Sequence, residues 1–292
     1  MTMAGPYWVS VAVVVLMIVT NGETVIDPNQ LAPIVQEILN KYTPSYKGEN
    51  NIIRFPMFSV AVSVPYNEGK FDMSKVTDSG EAVRKKILNC DVYQSDRVVA
   101  ATVLKWPNVL YQCPDGDVHW PEIWKRCRGK GRKTWAVVRD KCPENEIGMG
   151  EADHAEFRTL QHFELLLATI TKSKTDLMVF YVRDSPCDRT CTNPGNDRRI
   201  LESIKQIKKW KNNYVVVFSN IFRPDNNNNN RENELRESLE RLGGAIADQG
   251  SKVKDKSSNG LQNIFRCYGQ PQMKCISCNT NGAVAHKCVA DG

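Results

Sequence analysis

The chain has 292 residues, of which 41% are hydrophobic and 25% are charged, and its formal net charge is +6. This composition is typical of a globular protein with one large domain, or one domain with a small appendage, and it excludes a largely disordered chain. The mild excess of positive charge favours anionic partners but does not require them, because inert surfaces often carry a similar charge.

An unbroken apolar run occupies residues 11–19 and is too short to cross a bilayer. The small residues Thr20 and Gly22 follow it and provide a cleavage site before Glu23. We therefore interpret residues 1–22 as a secretory signal peptide, although no Lys or Arg precedes the run; a buried N-terminal helix or strand is the alternative. No other segment is a transmembrane candidate, so we expect a secreted, extracellular protein that does not associate with membranes after cleavage.

Ten cysteines also indicate an oxidising compartment. If Cys187 and Cys191 bind a metal, an even number remains for disulfides, and the sequence alone does not determine which of them pair. The tail after residue 260 is especially rich in cysteine, and in a secreted protein we favour disulfides there. A second zinc site in this tail is the alternative, built from Cys267, Cys275, Cys278, His286 and Cys288.

Apolar periodicity predicts an α/β protein. In the N-terminal half we expect a helix at about 31–43, antiparallel strands at 57–64 and 97–104, and a further strand candidate at 109–112. In the C-terminal half we expect helices at 153–171, 197–211 and 232–242, strands at 177–182 and 214–218, and a weak last strand at 245–247. Because helices connect the later strands, those strands should be parallel neighbours.

Residues 125–141 carry eight basic side chains and one acidic one, and Trp120, Trp124 and Trp135 lie within or beside this segment. Basic side chains with interleaved aromatic rings suit a single nucleic-acid strand, with phosphates on the cations and bases on the rings. A solvated basic loop held by disulfides at the flanking cysteines explains the same pattern equally well.

Two short motifs carry the chemistry of a metal site. They are His154-Ala155-Glu156, at the start of a predicted helix, and Ser185-Pro186-Cys187 with Cys191, directly after a predicted buried strand. One imidazole and two thiolates can hold a tetrahedral zinc ion and leave one position open for water. A carboxylate two residues from the imidazole can move the protons of that water.

Each motif also has a structural interpretation. Asp153 and Glu156 are spaced as in a capping box, and Cys187 and Cys191 could form an ordinary disulfide. The context favours the metal, because one predicted helix begins at His154 and another follows the cysteines. Two helix N-termini that converge on one point favour thiolate over thiol.

The pairing of the two motifs resembles the cytidine deaminase superfamily, over roughly residues 27–250 and in the order of the elements as well. The helix predicted at 232–242 resembles the AID/APOBEC-like branch, and the signal peptide resembles the secreted novel AID/APOBEC-like deaminases of fish. The resemblance implies a three-layer α-β-α fold with a five-stranded mixed sheet covered by helices. We therefore divide the chain into a signal peptide (1–22), a deaminase domain (23–250, with the basic insertion at about 113–150) and a Cys-rich C-terminal extension (251–292).

The resemblance also implies the roles of individual residues. His154, Cys187 and Cys191 would ligate Zn²⁺, and Glu156 would be the catalytic general acid and base. The implied substrate-binding residues are Asn67 at the ribose, Phe222 at the neighbouring nucleotide, and Ala155 and Ser185 within the two motifs.

The expected activity is hydrolytic conversion of cytosine to uracil in single-stranded DNA or RNA, with a defence role suggested by the fish relatives. The alternatives are a deaminase of free nucleosides or nucleotides, and a non-catalytic secreted binding protein that carries zinc. Two features depart from the resemblance. Three residues separate Cys187 from Cys191 where two are more usual, and Asp184 stands where an aromatic residue often lines the base pocket.

Overall fold

The computed structural model describes residues 26–48, 51–120, 133–142, 152–170, 175–211, 213–222, 230–247, 260–269 and 271–291. The predicted signal peptide and the part of the basic segment before residue 133 lie outside the described residues. In the parts of the chain that are described, no helix is long and apolar enough to cross a membrane.

A seven-stranded mixed sheet forms the centre of the structure. Its strands are β1 (Phe58–Val64), β2 (Tyr93–Gln94), β3 (Val98–Thr102), β4 (Leu177–Asp184), β5 (Tyr214–Asn220), β6 (Ile264–Tyr268) and β7 (Lys274–Ser277). Their spatial order is β7-β6-β5-β4-β1-β3-β2. The neighbours β4, β5 and β6 are parallel, and the other neighbouring pairs are antiparallel. The predicted antiparallel opening and the parallel later strands are therefore confirmed.

Helices cover both faces of this sheet, which confirms the three layers. Among the described residues the α-helices are α1 (Pro28–Tyr42), α2 (Gly80–Leu88), α3 (Val109–Gln112), α4 (Trp135–Lys141), α5 (Ala155–Leu160), α6 (Glu164–Thr169) and α7 (Arg231–Ile246). Short 3₁₀ helices lie at Met73–Lys75, Ser203–Trp210, Leu261–Asn263 and His286–Cys288. One face of the sheet packs against α1 and α2, and the other packs against α5, α6, α7 and the longest 3₁₀ helix.

In the described part of the chain, four short two-stranded ladders lie outside the central sheet. They pair Tyr46–Lys47 with Ile53–Arg54, Tyr66–Asn67 with Lys70–Phe71, Leu104–Lys105 with Ala152–Asp153, and Asn279–Thr280 with Ala283–Val284. The third of these ladders joins the segment after β3 to the segment before α5, and so it bears on the position of the first motif.

The central strand β4 shows why its sequence is a continuous apolar run. Its side chains alternate between the two hydrophobic cores, with Met178, Phe180 and Val182 on one face and Leu177, Val179 and Tyr181 on the other. Both faces are covered, so no position of the strand needs a polar side chain. Each large apolar side chain buried in this way contributes roughly 1.5–3 kcal/mol to stability.

The sheet is larger than the five strands expected. The strand predicted at 245–247 is wrong, because α7 continues to Ile246. Ile246 follows Leu242 by four residues, so both side chains face the same core on one side of the helix. The place beside β5 is taken by β6, and β7 extends that edge further. The Cys-rich C-terminal segment therefore contributes two strands to the central sheet.

Three other elements differ from the prediction. Residues 109–112 form the short helix α3, and the consecutive side chains of Val109 and Leu110 are both buried. The helix predicted at 153–171 is divided into α5 and α6, because Phe163 turns into the core and packs against Phe180. The predicted 197–211 helix is a 3₁₀ helix at Ser203–Trp210. Its buried side chains recur at every third residue, as three residues per turn require: Ile204, Ile207 and Trp210.

A third hydrophobic cluster lies apart from the two sheet cores, and we call it the tryptophan cluster. It contains Leu104, Trp106, Val109, Leu110, Trp120, Trp135 and Val138, together with Cys90, Cys113 and Cys142. Trp120 is 2% exposed and Trp135 is fully buried, with their ring centroids 5.3 Å apart. Rings buried in this way cannot stack on nucleic-acid bases, so these two tryptophans have a structural role. Trp124 lies outside the described residues.

Three disulfides join pairs of cysteines that both lie in the described residues: Cys90–Cys113, Cys267–Cys275 and Cys278–Cys288. Cys142 is also disulfide-bonded, whereas Cys127 lies outside the described residues. The disulfides predicted for the tail are confirmed. The alternative zinc site there is wrong, because the four tail cysteines pair with one another.

Candidate metal centre and active site

Both motifs lie at one edge of the central sheet. Because β4 and β5 are parallel, their carboxyl ends at Asp184 and Asn220 lie side by side. The antiparallel strand β1 begins at this edge, where Ser59 pairs with Val182. Strand β3 is antiparallel to β1 and therefore ends at the same edge, at Thr102. The edge thus collects the turn after β4, the loop after β5 and the segment after β3.

Backbone pairing brings the first motif to this edge. Asp153 pairs with Leu104 in the short ladder that follows β3. His154 is the N-cap residue of α5, with extended backbone angles, and Glu156 lies in the first turn of that helix. The alternative of a capping box at Asp153 is wrong, because the cap position belongs to His154 and no side chain caps the helix.

The two cysteines lie in the turn that follows β4. The Cys191 amide donates a hydrogen bond to Cys187 Sγ over 3.3 Å, and the Thr192 amide donates to the Cys187 carbonyl over 3.1 Å. Within the described residues 187–202 no α-helix begins, since Pro194 and Gly195 interrupt the segment. The second helix N-terminus expected at the site is therefore not formed.

Cys187 and Cys191 are buried and carry no disulfide. Their Sγ atoms are 3.2 Å apart, well beyond the length of about 2.05 Å of an S–S bond. His154 Nδ1 lies 3.0 Å from Cys191 Sγ and 3.8 Å from Cys187 Sγ. The ligand atoms of all three residues lie within 4.8 Å of one another, so this group could hold a metal ion. One imidazole and two thiolates form the donor set of a catalytic zinc site.

Glu156 borders this cluster directly, and its side chain is only 2% exposed. Its Oε1 atom accepts a hydrogen bond from Cys191 Sγ over 3.0 Å and lies 3.8 Å from His154 Nδ1. Its buried Oε2 atom has no hydrogen-bond partner among the described residues. A buried carboxylate oxygen normally has a partner, so this atom is available to a ligand at the cluster.

The side chains of the cluster shift one another's pKa values. Hydrogen bonding from Cys191 lowers the pKa of Cys187 to about 4, against the effect of burial, and favours a thiolate. Burial lowers the pKa of His154, but its interactions with Cys187 and Glu156 outweigh this effect and raise the pKa to about 10. Burial raises the pKa of the Cys191 thiol well above its ordinary value. Burial acts to raise the pKa of Glu156 as well, but the contacts with His154 hold it below its usual value.

These pKa directions predict that zinc uptake at pH 7 releases protons. The ligands must become neutral imidazole and thiolates, so His154 and Cys191 each lose a proton and about two are released per zinc. A rise in pH removes the competing protons, so zinc affinity should increase with pH across neutrality. Calorimetric titration of the zinc-free protein with Zn²⁺, in two buffers of different ionisation enthalpy, measures the number of protons released per zinc. A heat that does not depend on the buffer would contradict this prediction.

Three of the predicted substrate-binding residues lie at the cluster. Ala155 is buried between His154 and Glu156 at the start of α5. The Ser185 amide donates to the Asn220 carbonyl over 2.8 Å, and Ser185 Oγ accepts from the Phe222 amide over 2.9 Å. These two hydrogen bonds bring the loop after β5, with Phe222, against the second motif.

The structure does not bring Asn67 to this cluster. Asn67 lies in the hairpin after the carboxyl end of β1, where Val64 pairs with Leu177 at the start of β4. That end is separated from the cluster by the seven residues of β1, a distance of about 20 Å. The antiparallel direction of β1 relative to β4 decides this, and the strand pattern of the sequence does not reveal it.

A different loop reaches the cluster edge, and the sequence analysis did not identify it. This segment precedes β1 and exposes Ile53 and Phe55, at 61% and 55% of their surfaces. The Arg183 guanidinium, near the end of β4, hydrogen-bonds to the Phe55 carbonyl and to the Pro56 carbonyl. Apolar side chains next to Arg54 were the available signal, but their position follows only from the direction of β1.

Comparison with known proteins identifies a family. A family model described as Secreted Novel AID/APOBEC-like Deaminase 1 matches residues 137–292, just over half of the chain. The matched residues include both motifs and the Cys-rich segment that forms β6 and β7. Neither a search of curated proteins nor a search of solved structures found a match.

Proposed function

Because the chain belongs to the Secreted Novel AID/APOBEC-like Deaminase 1 family, we propose that it is a zinc-dependent hydrolase that converts cytosine to uracil in single-stranded DNA or RNA. The observation that carries the proposal is the buried carboxylate of Glu156. It touches the His154 and Cys191 side chains and keeps one oxygen without a protein partner. A purely structural metal site has no need of such a group, because protein ligands fill its coordination sphere.

His154, Cys187 and Cys191 would hold the zinc. Bound zinc would supply Lewis-acid activation of a water molecule near neutral pH. Glu156 would take a proton from that water and pass it to the ring nitrogen of the base while the water oxygen bonds to C4. It would then move the remaining proton of this oxygen to the amino group, so that the C4–N bond breaks, ammonia leaves and a carbonyl forms at C4. The burial of Glu156 keeps bulk water away from these transfers and holds the carboxylate in one position.

The surface around the cluster supports a polynucleotide substrate. Ile53 and Phe55 are exposed on the loop before β1, and Arg54 and Arg183 lie beside them. An exposed aromatic ring, an apolar neighbour and nearby cations suit the bases and phosphates of a single strand. The net charge of +6 favours the same partner.

Asp184 bears on the choice of base. It ends β4 two positions before Pro186, and Asn220 Nδ2 donates a hydrogen bond to its Oδ1 atom over 2.9 Å. Burial raises the pKa of Asp184, and the nearby charge of Glu156 adds to the effect. A carboxyl group here offers a polar neighbour to the base where related enzymes often place an aromatic ring. Adenine and cytosine both carry an amino group, so a test must include both bases.

We further propose that the protein is secreted and acts outside the cell, in defence. The family description includes the word secreted, the described residues contain three disulfides, and residues 1–22 fit a signal peptide. The defence role follows only from the resemblance to the fish deaminases.

Deamination of a mixed substrate pool tests the proposal. The mature protein is incubated with random single-stranded DNA and RNA and, separately, with free cytidine and adenosine. Sequencing of the pool and ammonia release are the measurements. We expect C-to-U conversion in the strands, and binding to oligonucleotides that weakens steeply with salt.

Other outcomes of this experiment would support one of the alternative functions. Conversion of free cytidine alone, without salt-sensitive strand binding, would identify a nucleoside deaminase and overturn the polynucleotide substrate. Conversion of adenine alone would overturn the base. No conversion of any substrate by a protein that holds one zinc per chain would favour the non-catalytic binding role.

A further inference from the structure

The carboxylate of Asp153, next to the predicted zinc ligand His154, is held from two sides. Trp120 Nε1 donates a hydrogen bond to Asp153 Oδ2 over 2.9 Å. Arg198 Nη1 lies 3.1 Å from Asp153 Oδ1 and also donates to the Ala152 carbonyl over 3.0 Å. The side chain of Asp153 is only 20% exposed, so the ion pair is partly shielded from water.

The partner Arg198 connects Asp153 to the other half of the metal cluster. Arg198 lies on the segment that leads away from Cys191, and the Ile200 amide donates to the Cys191 carbonyl over 2.8 Å. The Arg198 amide is itself fixed by Asn196 Oδ1 at 2.8 Å. The Asp153–Arg198 pair therefore joins the segment that carries His154 to the segment that carries Cys191.

The partner Trp120 connects Asp153 to the tryptophan cluster. Trp120 packs edge-on against the fully buried Trp135. The Cys90–Cys113 disulfide belongs to the same cluster. The Trp120 donor is therefore positioned in part by packing contacts that do not involve the metal ligands.

We propose that Asp153 is a positioning residue for the metal centre. Its contact with Arg198 holds His154 in place relative to Cys191, and its contact with Trp120 holds His154 in place relative to the tryptophan cluster. We call these two contacts of Asp153 the brace. The role of that cluster would be to hold the metal ligands in place. This inference rests on the proposed zinc site but not on the proposed substrate. Outer groups that orient metal ligands typically change metal affinity by about 10–100-fold when they are removed.

Zinc release from Asp153→Asn tests the brace. This change removes the charge but keeps the size of the side chain. We expect zinc transfer from the protein to a chromogenic chelator to become faster by about tenfold or more. Arg198→Gln should have a similar effect, and the double variant should add little, because both changes break the same ion pair. Arg198→Lys is a milder variant that keeps the charge and should fold if the others do not.

Asp176→Asn is the matched control. Asp176 precedes β4 at the opposite end from the cluster, and its carboxylate likewise accepts a side-chain hydrogen bond, from Ser63, and pairs with an arginine, Arg97. This control should lower the melting temperature and leave the rate of zinc release unchanged. If Asp153→Asn lowers the melting temperature as Asp176→Asn does, but releases zinc at the wild-type rate, the brace is overturned.

Hydrogen exchange of the zinc-free protein separates this inference from the proposed function. The amides of residues 152–156 should exchange faster in Asp153→Asn than in the wild type, whether or not the protein deaminates any substrate. Unchanged exchange at these amides would overturn the brace. A wild-type protein that binds zinc and shows slow release but no deamination would overturn only the proposed activity.

Discussion

Replacement of Glu156 by glutamine is expected to abolish deamination while the protein keeps its zinc and its fold. The amide has the shape of the carboxylate but cannot take a proton, and proton transfer by a positioned side chain contributes about 10²- to 10⁴-fold to a rate. The carboxylate oxygen lies 3.0 Å from Cys191 Sγ and 3.8 Å from His154 Nδ1, so it borders the proposed metal ligands and can reach a water bound between them. The loss of activity is measured as the rate of ammonia release from the substrate pool, per zinc bound, in the variant and in the wild type.

A matched control for this variant is Glu164→Gln. Glu164 also lies in the first turn of a short helix, α6, but it is exposed to solvent. This control should retain wild-type activity. If Glu156→Gln retained full activity with one zinc per chain, the assignment of Glu156 as the proton-transfer group would be wrong.

Replacement of Cys191 by serine is the change with the largest expected effect on metal binding. Cys191 is fully buried, and its Sγ atom contacts Cys187 Sγ, His154 Nδ1 and Glu156 Oε1. Because changes in outer groups cost about 10–100-fold in affinity, loss of a direct thiolate ligand should exceed about 100-fold. Zinc present at 100 times its dissociation constant stabilises the folded wild-type protein by about 2.7 kcal/mol. Because the variant binds zinc more than about 100-fold more weakly, the same zinc concentration should no longer raise its melting temperature measurably.

Elemental analysis of dialysed protein and thermal unfolding with and without zinc measure both effects. The control is the double variant Cys278→Ser with Cys288→Ser, which removes a disulfide of the tail. That control should lose stability, by roughly 2–5 kcal/mol, but should keep one zinc per chain. Stoichiometric zinc of wild-type affinity in Cys191→Ser would contradict the proposed ligand set.

The local pattern of apolar residues predicted the helices and strands whose positions depend on which of their faces are buried. The apolar runs that form β4 and β5 are typical of central strands covered on both faces. The spacing of Leu235, Leu239 and Leu242 is typical of a helix with one buried face. The chemistry of the two motifs was also readable, because an imidazole, two thiols and a carboxylate are specific to few kinds of site. Strands β6 and β7 were missed because they follow residues 251–259, whose polar composition resembles a linker.

The tertiary structure decided which residues lie next to the metal cluster. Strand direction placed Asn67 at the far end of β1 and brought the exposed loop with Phe55 to the cluster instead, and no local pattern encodes that direction. Trp135 of the basic segment and Trp120 beside it became core residues for the same reason, since these two residues meet only when the chain has folded. The amino-acid sequence specifies which groups can do the chemistry, because that depends on side-chain identity. Contacts between residues distant along the chain decide which of them meet, and the Asp153–Arg198 pair is one such contact.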